Sequence, residues 1–129
     1  MKTLSINIKG LGTVPKKVSV KLLITTMSPT VLLIQETMTE GNKAKEMVKE
    51  CIKDWGMTSS DADDHSGGTL IALSLALKMI SFHRFETTLG IELEDSKIGR
   101  KYMILNVYGP LYERIFFGEK VKDSGALEF

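Results

Sequence analysis

Val31, Leu32, Leu33 and Ile34 form an unbroken apolar run, and the run stops at Gln35 and Glu36. A run this short, bounded by Pro29 on one side and by polar residues on the other, reads as a β-strand. Successive strand side chains point to opposite faces. With no polar residue in the run, both faces must be covered, as in a layered fold with helices outside a sheet. The glutamate at its end poses a question of its own. A carboxylate at the rim of a buried strand is costly unless something compensates it. A metal ion, an arginine or lysine, or water would each serve.

The flanking sequence supplies the other layers. In "TLSINI", Leu4, Ile6 and Ile8 alternate with Ser5 and Asn7, the pattern of a strand with one polar face. After "KGLGTVPKK", Val20, Leu23, Ile24 and Met27 recur at helical spacing, with Pro15 in the first turn and Pro29 beyond the end. A second helix carries the apolar stripe Ala44, Met47, Val48, Cys51, Ile52 and Trp55, and Gly56 is read as its stop. "MTSSDADDHSGG" reads as a polar loop and "TLIALSLAL" as a buried strand. "SFHRFETT" and "LGIELE" follow as strands, then the turn "EDSKIGRK" and the strand "YMILNVY". "LYERIFFGEKVKD" reads as a last helix, weakened by Gly118. The fold class is α/β to α+β: a mixed sheet flanked by helices, in a length that suits one domain, residues 1–129.

Composition narrows the function classes. Lys and Arg number 17 against 16 Asp and Glu, so no polyanion partner is announced by net charge, though a local basic patch remains compatible with it. The single cysteine, Cys51, excludes an internal disulfide. "MKTLSINIKG" is too short and polar for a signal peptide, and no apolar run approaches the roughly 20 residues a membrane helix needs. The expectation is a soluble intracellular protein, nuclear or cytoplasmic, with no membrane partner.

Three polar features stand at strand ends: Asn7, Glu36, and the pair Asn106 and Tyr108 on one face of "YMILNVY". Neighbouring strand ends form a common rim, where sites collect. Amide and carboxylate oxygens suit a hard cation such as Mg²⁺, and a tyrosine hydroxyl can hydrogen-bond a phosphate oxygen. Periodicity alone reads the same glutamate as a solvated strand end and the same asparagine as a turn residue. His65 and His83 have no ligand spacing to each other or to Cys51, and Cys51 lies on an apolar stripe. "DADD" lacks the spacing of a calcium loop, and "SGG" lacks the following lysine of a phosphate-binding loop.

Four segments, taken in order, resemble one family. "LSINIKGLG", "PTVLLIQET", "HSGGTLIAL" and "LNVYGP" with "ERIFFGEKV" are similar to endonuclease/exonuclease/phosphatase domains, in particular to the endonuclease domain of plant LINE-type retrotransposons. The resemblance implies a four-layer α/β-sandwich, two packed sheets with helices outside, of which this chain matches the N-terminal half. It implies Mg²⁺-dependent phosphodiester hydrolysis of nucleic acid. By the same resemblance, Asn7 and Glu36 match metal-site positions. Tyr108 matches a tyrosine that approaches the scissile phosphate, and Ser66 and Gly67 match a loop along the nucleic-acid backbone.

The departures carry as much weight. Ile6 stands where the family usually has tryptophan, and Met38 where a lysine commonly follows glutamate–threonine. The sequence runs to "KDSGALEF" without the family's later glycine–aspartate–phenylalanine–asparagine strand or its closing serine–aspartate–histidine. Those groups position the attacking water and supply acid–base assistance, itself worth about 10²–10⁴-fold. The expectation is a remnant with negligible turnover alone, or a non-catalytic module binding nucleic acid or protein. A further expectation is that "TLIALSLAL" and "YMILNVY" lack cover on their inner face. That would favour a homo-oligomer or association with a complementary fragment.

Overall fold

The computed structural model describes residues 1–63, 66–84 and 88–107. Tyr108, His65 and the expected helix "LYERIFFGEKVKD" lie outside the described residues. Among the described residues, seven strands and two helices follow one another as β1 (Thr3–Asn7), α1 (Val14–Met27), β2 (Val31–Gln35), α2 (Gly41–Lys49), β3 (Gly56–Asp63), β4 (Ser66–Leu73), β5 (Leu77–Arg84), β6 (Thr88–Asp95) and β7 (Arg100–Val107). They form two sheets, one ordered β1-β2-β4-β3 and one ordered β5-β6-β7. Among the described strands only β1 and β2 pair in parallel, which a helical crossover such as α1 permits.

Two cores meet at β2, and the strand's alternation separates them. Leu32 and Ile34 face the helices with Leu70 and Ala72 of β4, and pack on Val20 of α1, on Ala44 and Val48 of α2, and on Ile52. Val31 and Leu33 face the other way with Ile71 and Leu73, against Leu77, Leu89, Ile91 and Leu93 of the second sheet. This is why the run admits no polar residue before Gln35. Leu89, Ile91 and Leu93 are fully buried, as their alternation predicts.

The structure departs from the sequence reading in five places. The polar stretch after Trp55 is a strand: β3 pairs antiparallel with β4 from Gly56 opposite Leu73 to Asp63 opposite Ser66. Backbone pairing at a sheet edge overrides the low strand propensity of Ser and Asp. Gly56 therefore opens a strand and does not end the helix; α2 ends at Lys49, and both Cys51 and Ile52 donate their N–H to the Val48 carbonyl in a tightened last turn. "TLIALSLAL" divides at Ser74–Ala76 into the end of β4 and the start of β5. In α1, Val20 is buried but Leu23 and Met27 stay about 40% exposed, at 38% and 41%. Finally, the inner face of the first sheet is not bare. The β5–β7 sheet covers it, because the chain returns on itself after Leu73 and supplies its own second layer.

Candidate functional site

Strand pairing brings distant segments to one rim. Asn7 lies opposite Gln35, Gln35 opposite Thr69, and Thr69 opposite Ser60, so one row crosses all four strands of the first sheet. Glu36 follows Gln35 directly, and Gly67 and Gly68 precede Thr69. On the second sheet, Arg84 lies opposite Leu89 and Leu89 opposite Asn106.

Past the ends of β1 and β2 the two chains stay paired. Ile8 donates its N–H to the Gln35 carbonyl at 3.1 Å, Gly10 to that of Glu36 at 2.8 Å and Leu11 to that of Thr37 at 3.1 Å. On the other side, Thr37 and Met38 donate to the carbonyls of Gly68 and Gly67 at 3.1 and 2.9 Å. Glu36 is thereby held at φ 54°, in the left-handed region that a long side chain occupies at a cost of about 1–2 kcal/mol. Lys9 and Met38 share that conformation at φ 49° and 56°. Hydrogen bonding from both flanks is what lets the strain persist.

Below this rim the two sheets are joined by side chains. Asn106, 1% exposed, donates from Nδ2 to the carbonyls of Ile34 and Leu70 at 3.0 and 3.1 Å. Its Oδ1 accepts from Gln35 Nε2 at 2.8 Å, and the same Nε2 donates to Ser5 Oγ at 2.8 Å. One amide pair thus ties β7 to β2, β4 and β1. Beside it opens a cavity of about 290 Å³ lined by Ser5, Asn7, Leu33, Gln35, Leu105, Asn106 and Val107.

Among the sequence-derived candidates, Asn7 and Glu36 stand at the ends of paired neighbouring strands, about 5 Å apart in strand spacing. Asn7 lines the cavity; Glu36 does not, and one of its carboxylate oxygens, Oε2, is buried. Gly67 adjoins the same rim at φ 77°, its carbonyl engaged by Met38. Ser66 pairs by its backbone with Asp63 in the adjoining hairpin. Tyr108 is outside the described residues, though Asn106 and Val107 before it line the cavity. Periodicity missed the linking role of Gln35; its signal was a polar side chain with the parity of Val31 and Leu33. Nothing local announced Lys45 and Arg84, which the fold brings to a second cleft near the β3 end of this rim.

A divalent cation fits this donor set only in part. Glu36 supplies a carboxylate and Asn7 an amide oxygen. Mg²⁺ is commonly held by one or two carboxylates with waters and substrate phosphates completing its shell. Among the described residues, no group of three or more His, Cys, Asp or Glu converges as a metal site.

No protein-family model matches the chain, and no curated protein does. Solved structures do. TDP2 from Caenorhabditis elegans is similar over 98% of this chain and 42% of its own, with TM-score 0.71 and 17% identity. AP endonuclease LMAP from Leishmania major is similar over 90% of this chain and 43% of its own, with TM-score 0.61 and 16% identity. The human Nocturnin catalytic domain with bound sulfate anion is similar over 81% of this chain and 48% of its own, with TM-score 0.63 and 14% identity. The fold is that of the endonuclease/exonuclease/phosphatase proteins. This chain spans less than half the length of the three structures just described, so what it shares with the endonuclease/exonuclease/phosphatase fold is one part of the sandwich, two sheets with helices on the outer face of the first. Among the described residues, no helix is long and apolar enough to cross a membrane.

Proposed function

We propose that residues 1–129 carry one part of a Mg²⁺-dependent phosphodiesterase site for nucleic acid, and that turnover by these residues alone is negligible. The observation that carries this reading is the placement of Asn7 and Glu36 at adjoining ends of paired strands, with Glu36 in a strained backbone held from both flanks. The fold is shared with an AP endonuclease, which supports nucleic acid as the substrate class. The finer likeness to retrotransposon endonucleases rests on the four sequence segments.

Glu36 and Asn7 would hold the cation. Bound there, it would neutralise charge on a phosphate and lower the pKa of an attacking water. The residues of this chain do the rest by position. Gln35 and Asn106 fix the two sheets so that Asn7 keeps its place on the cavity wall. The paired backbone of Gly10, Gly67 and Gly68 holds Glu36. Tyr108, by the family resemblance, would approach the phosphate. Ser66 and Gly67 would lie along the backbone of the substrate.

Manganese binding measured by electron paramagnetic resonance tests the cation site without requiring turnover. Wild-type protein should bind Mn²⁺, and Glu36→Gln and Asn7→Ala should weaken it. Equal binding by wild type and Glu36→Gln would sink the reading. Incubation with abasic and plasmid DNA, with and without Mg²⁺, tests the second half: cleavage lost in Glu36→Gln would refute inactivity.

Among the described residues no group of three or more His, Cys, Asp or Glu converges near Glu36, which favours a second reading, a non-catalytic module that grips nucleic acid or protein on the same surface. With the inner sheet face covered, a second copy or a complementary fragment would dock at strand edges, of which β1 and β7 adjoin the cavity. Gel filtration at varied concentration tests this.

A further inference from the structure

At the β3 end of the same rim a second cleft, about 430 Å³, is lined by Gly41, Asn42, Lys45, Ser59, Ser60, Asp61 and Arg84. Two cations enter it from different layers, Lys45 from α2 and Arg84 from the last residue of β5. The guanidinium is oriented: Arg84 donates from Nε to the Ser59 carbonyl at 2.8 Å, and its Cζ sits 4.8 Å from the centre of the Phe82 ring. That geometry spends one donor and leaves the planar fork for a bidentate anion. Neither cation is in an ion pair among the described residues. The one carboxylate in the lining, Asp61, accepts the Gly41 N–H at 2.6 Å and so satisfies the start of α2. The carboxylate is thereby engaged by the first N–H of α2, and the two side-chain cations are what the cleft offers an anion.

The row that crosses the sheet fixes how far this cleft is from the candidate metal position. From Asn7 to Ser60 is three strand steps, about 14 Å at roughly 4.8 Å each. At about 3.4 Å of rise per nucleotide that is about four nucleotides of one strand. The Gly67–Gly68 backbone lies between the two ends.

We infer that Lys45 and Arg84 form a second anchoring site for the phosphodiester backbone of a nucleic-acid strand, a few nucleotides along the rim from Asn7 and Glu36. This rests on the reading of the rim as a nucleic-acid surface. It does not need metal or turnover. Each contact is worth roughly tenfold in affinity at 0.1 M salt, and removing one lowers the slope of log affinity against log salt by about 1.

The test uses the full chain without divalent ions and a fluorescein-labelled oligonucleotide of about 20 nucleotides, single-stranded and as a duplex, followed by anisotropy across salt concentrations. Lys45→Ala with Arg84→Ala should weaken binding at least tenfold and reduce the salt slope by roughly 1.4 to 2. The matched control, Lys97→Ala with Lys101→Ala beside the β6–β7 turn, removes the same charge at the opposite end of the sandwich and should change little. A gain-of-binding variant guards against misfolding. Asp61→Asn keeps a helix-capping side chain, removes the negative charge from the cleft and should tighten binding. Asp95→Asn, whose carboxylate accepts the Lys97 N–H at 3.2 Å, makes the same change at the far end and should not. Equal effects at the two ends, an unchanged salt slope, or no binding by wild type at low salt would each overturn the inference. The Mn²⁺ measurement stands apart: if Glu36→Gln leaves Mn²⁺ binding intact while the cleft variants lose oligonucleotide, the metal reading falls and this one stands.

Discussion

The two ends of the sandwich carry similar backbone conformations for different reasons. At the end opposite the site, Ser28 and Asp54 adopt positive φ, 47° and 65°. Both have short polar side chains. Ser28 closes α1, its N–H bonded to the Ile24 carbonyl at 2.9 Å. Local chemistry accounts for them. At the site end the left-handed residues are Lys9, Glu36 and Met38, whose long side chains gain nothing from that conformation. They are held by hydrogen bonds reaching across β1, β2 and the start of β4. Buried polar groups lean the same way: Asn106, Thr69, Thr37 and Thr88 lie at or next to the site rim, and Ser59 and Thr58 stand one and two positions in from Ser60 on β3. One end is shaped by its own residues and the other by tertiary pairing, which is what a preorganised site requires.

The largest test of that contrast is Asn106→Leu. It leaves the Ile34 and Leu70 carbonyls and one Gln35 donor without their partner, and should cost about 3 kcal/mol or more in urea unfolding. Thr30→Val removes the Thr30 hydroxyl's bonds to the backbone of Lys2 at the far end, which are solvent-exposed, and should cost less than about 1 kcal/mol. Equal losses would erase the distinction. Next comes a pair of glycines. A Cβ at Gly41, by the site, would meet Ser59 Oγ and would lie 2.9 Å from Asp61 Oδ1, whereas one at Gly56, at the far end, meets nothing within 4 Å. Gly41→Ala should destabilise by about 1–3 kcal/mol and Gly56→Ala should be nearly neutral; matching thermal midpoints would show that the site end yields as readily.

Smaller still is the relief of strain. Glu36→Gly and Ser28→Gly each replace a left-handed residue by one that tolerates it, so each should gain up to about 1 kcal/mol. If Glu36 holds the cation as proposed, only Glu36→Gly should also abolish Mn²⁺ binding, a stability gain traded against function. If Glu36→Gly gains nothing in stability, its backbone conformation is not strained and that support for a functional role disappears.

How legible the sequence was follows the same line. Strands whose character is written in their own residues are legible: β1 and β6 from alternation, through residues such as Leu4 and Leu93, and β2 from an unbroken apolar run that includes Ile34. β3 was missed because Thr58 and Ser59 are polar yet nearly buried, at 3% and 4% exposure, and only the pairing with β4 makes them a strand. The cover on the inner sheet face was missed because it depends on a turn at Ser74–Ala76 inside an apparently continuous apolar run. At the site, Asn7 and Glu36 were visible as polar residues ending strands. Gln35 was hidden by its neighbours, although its parity pointed to the second sheet. Lys45 and Arg84 belong to one cleft because β3 is tied to both their elements, its Asp61 accepting the Gly41 N–H at the start of α2 and its Ser59 carbonyl accepting from Arg84. No local pattern encodes that.

The last prediction concerns the far end of α2, where Cys51 follows the helix. Its thiol donates toward the Lys17 and Met47 carbonyls at 3.6 and 3.8 Å, and burial, reinforced by the charge of Glu50 and opposed by Lys21 and Lys17, raises its pKa. The folded chain therefore holds this proton more tightly than the unfolded chain does. Below the ordinary cysteine range, about 8.5, both states are protonated and the contribution is fully present. As pH rises through that range the unfolded thiol ionises first, so stability falls until the folded thiol also ionises. The difference in urea midpoint between wild type and Cys51→Ala should accordingly shrink between pH 8 and pH 10. Iodoacetamide should also alkylate Cys51 more slowly than a free thiol at pH 8, because the thiolate is the reactive form. A constant midpoint difference across that range, together with alkylation at the free-thiol rate, would place Cys51 in solvent and remove it from the helix packing.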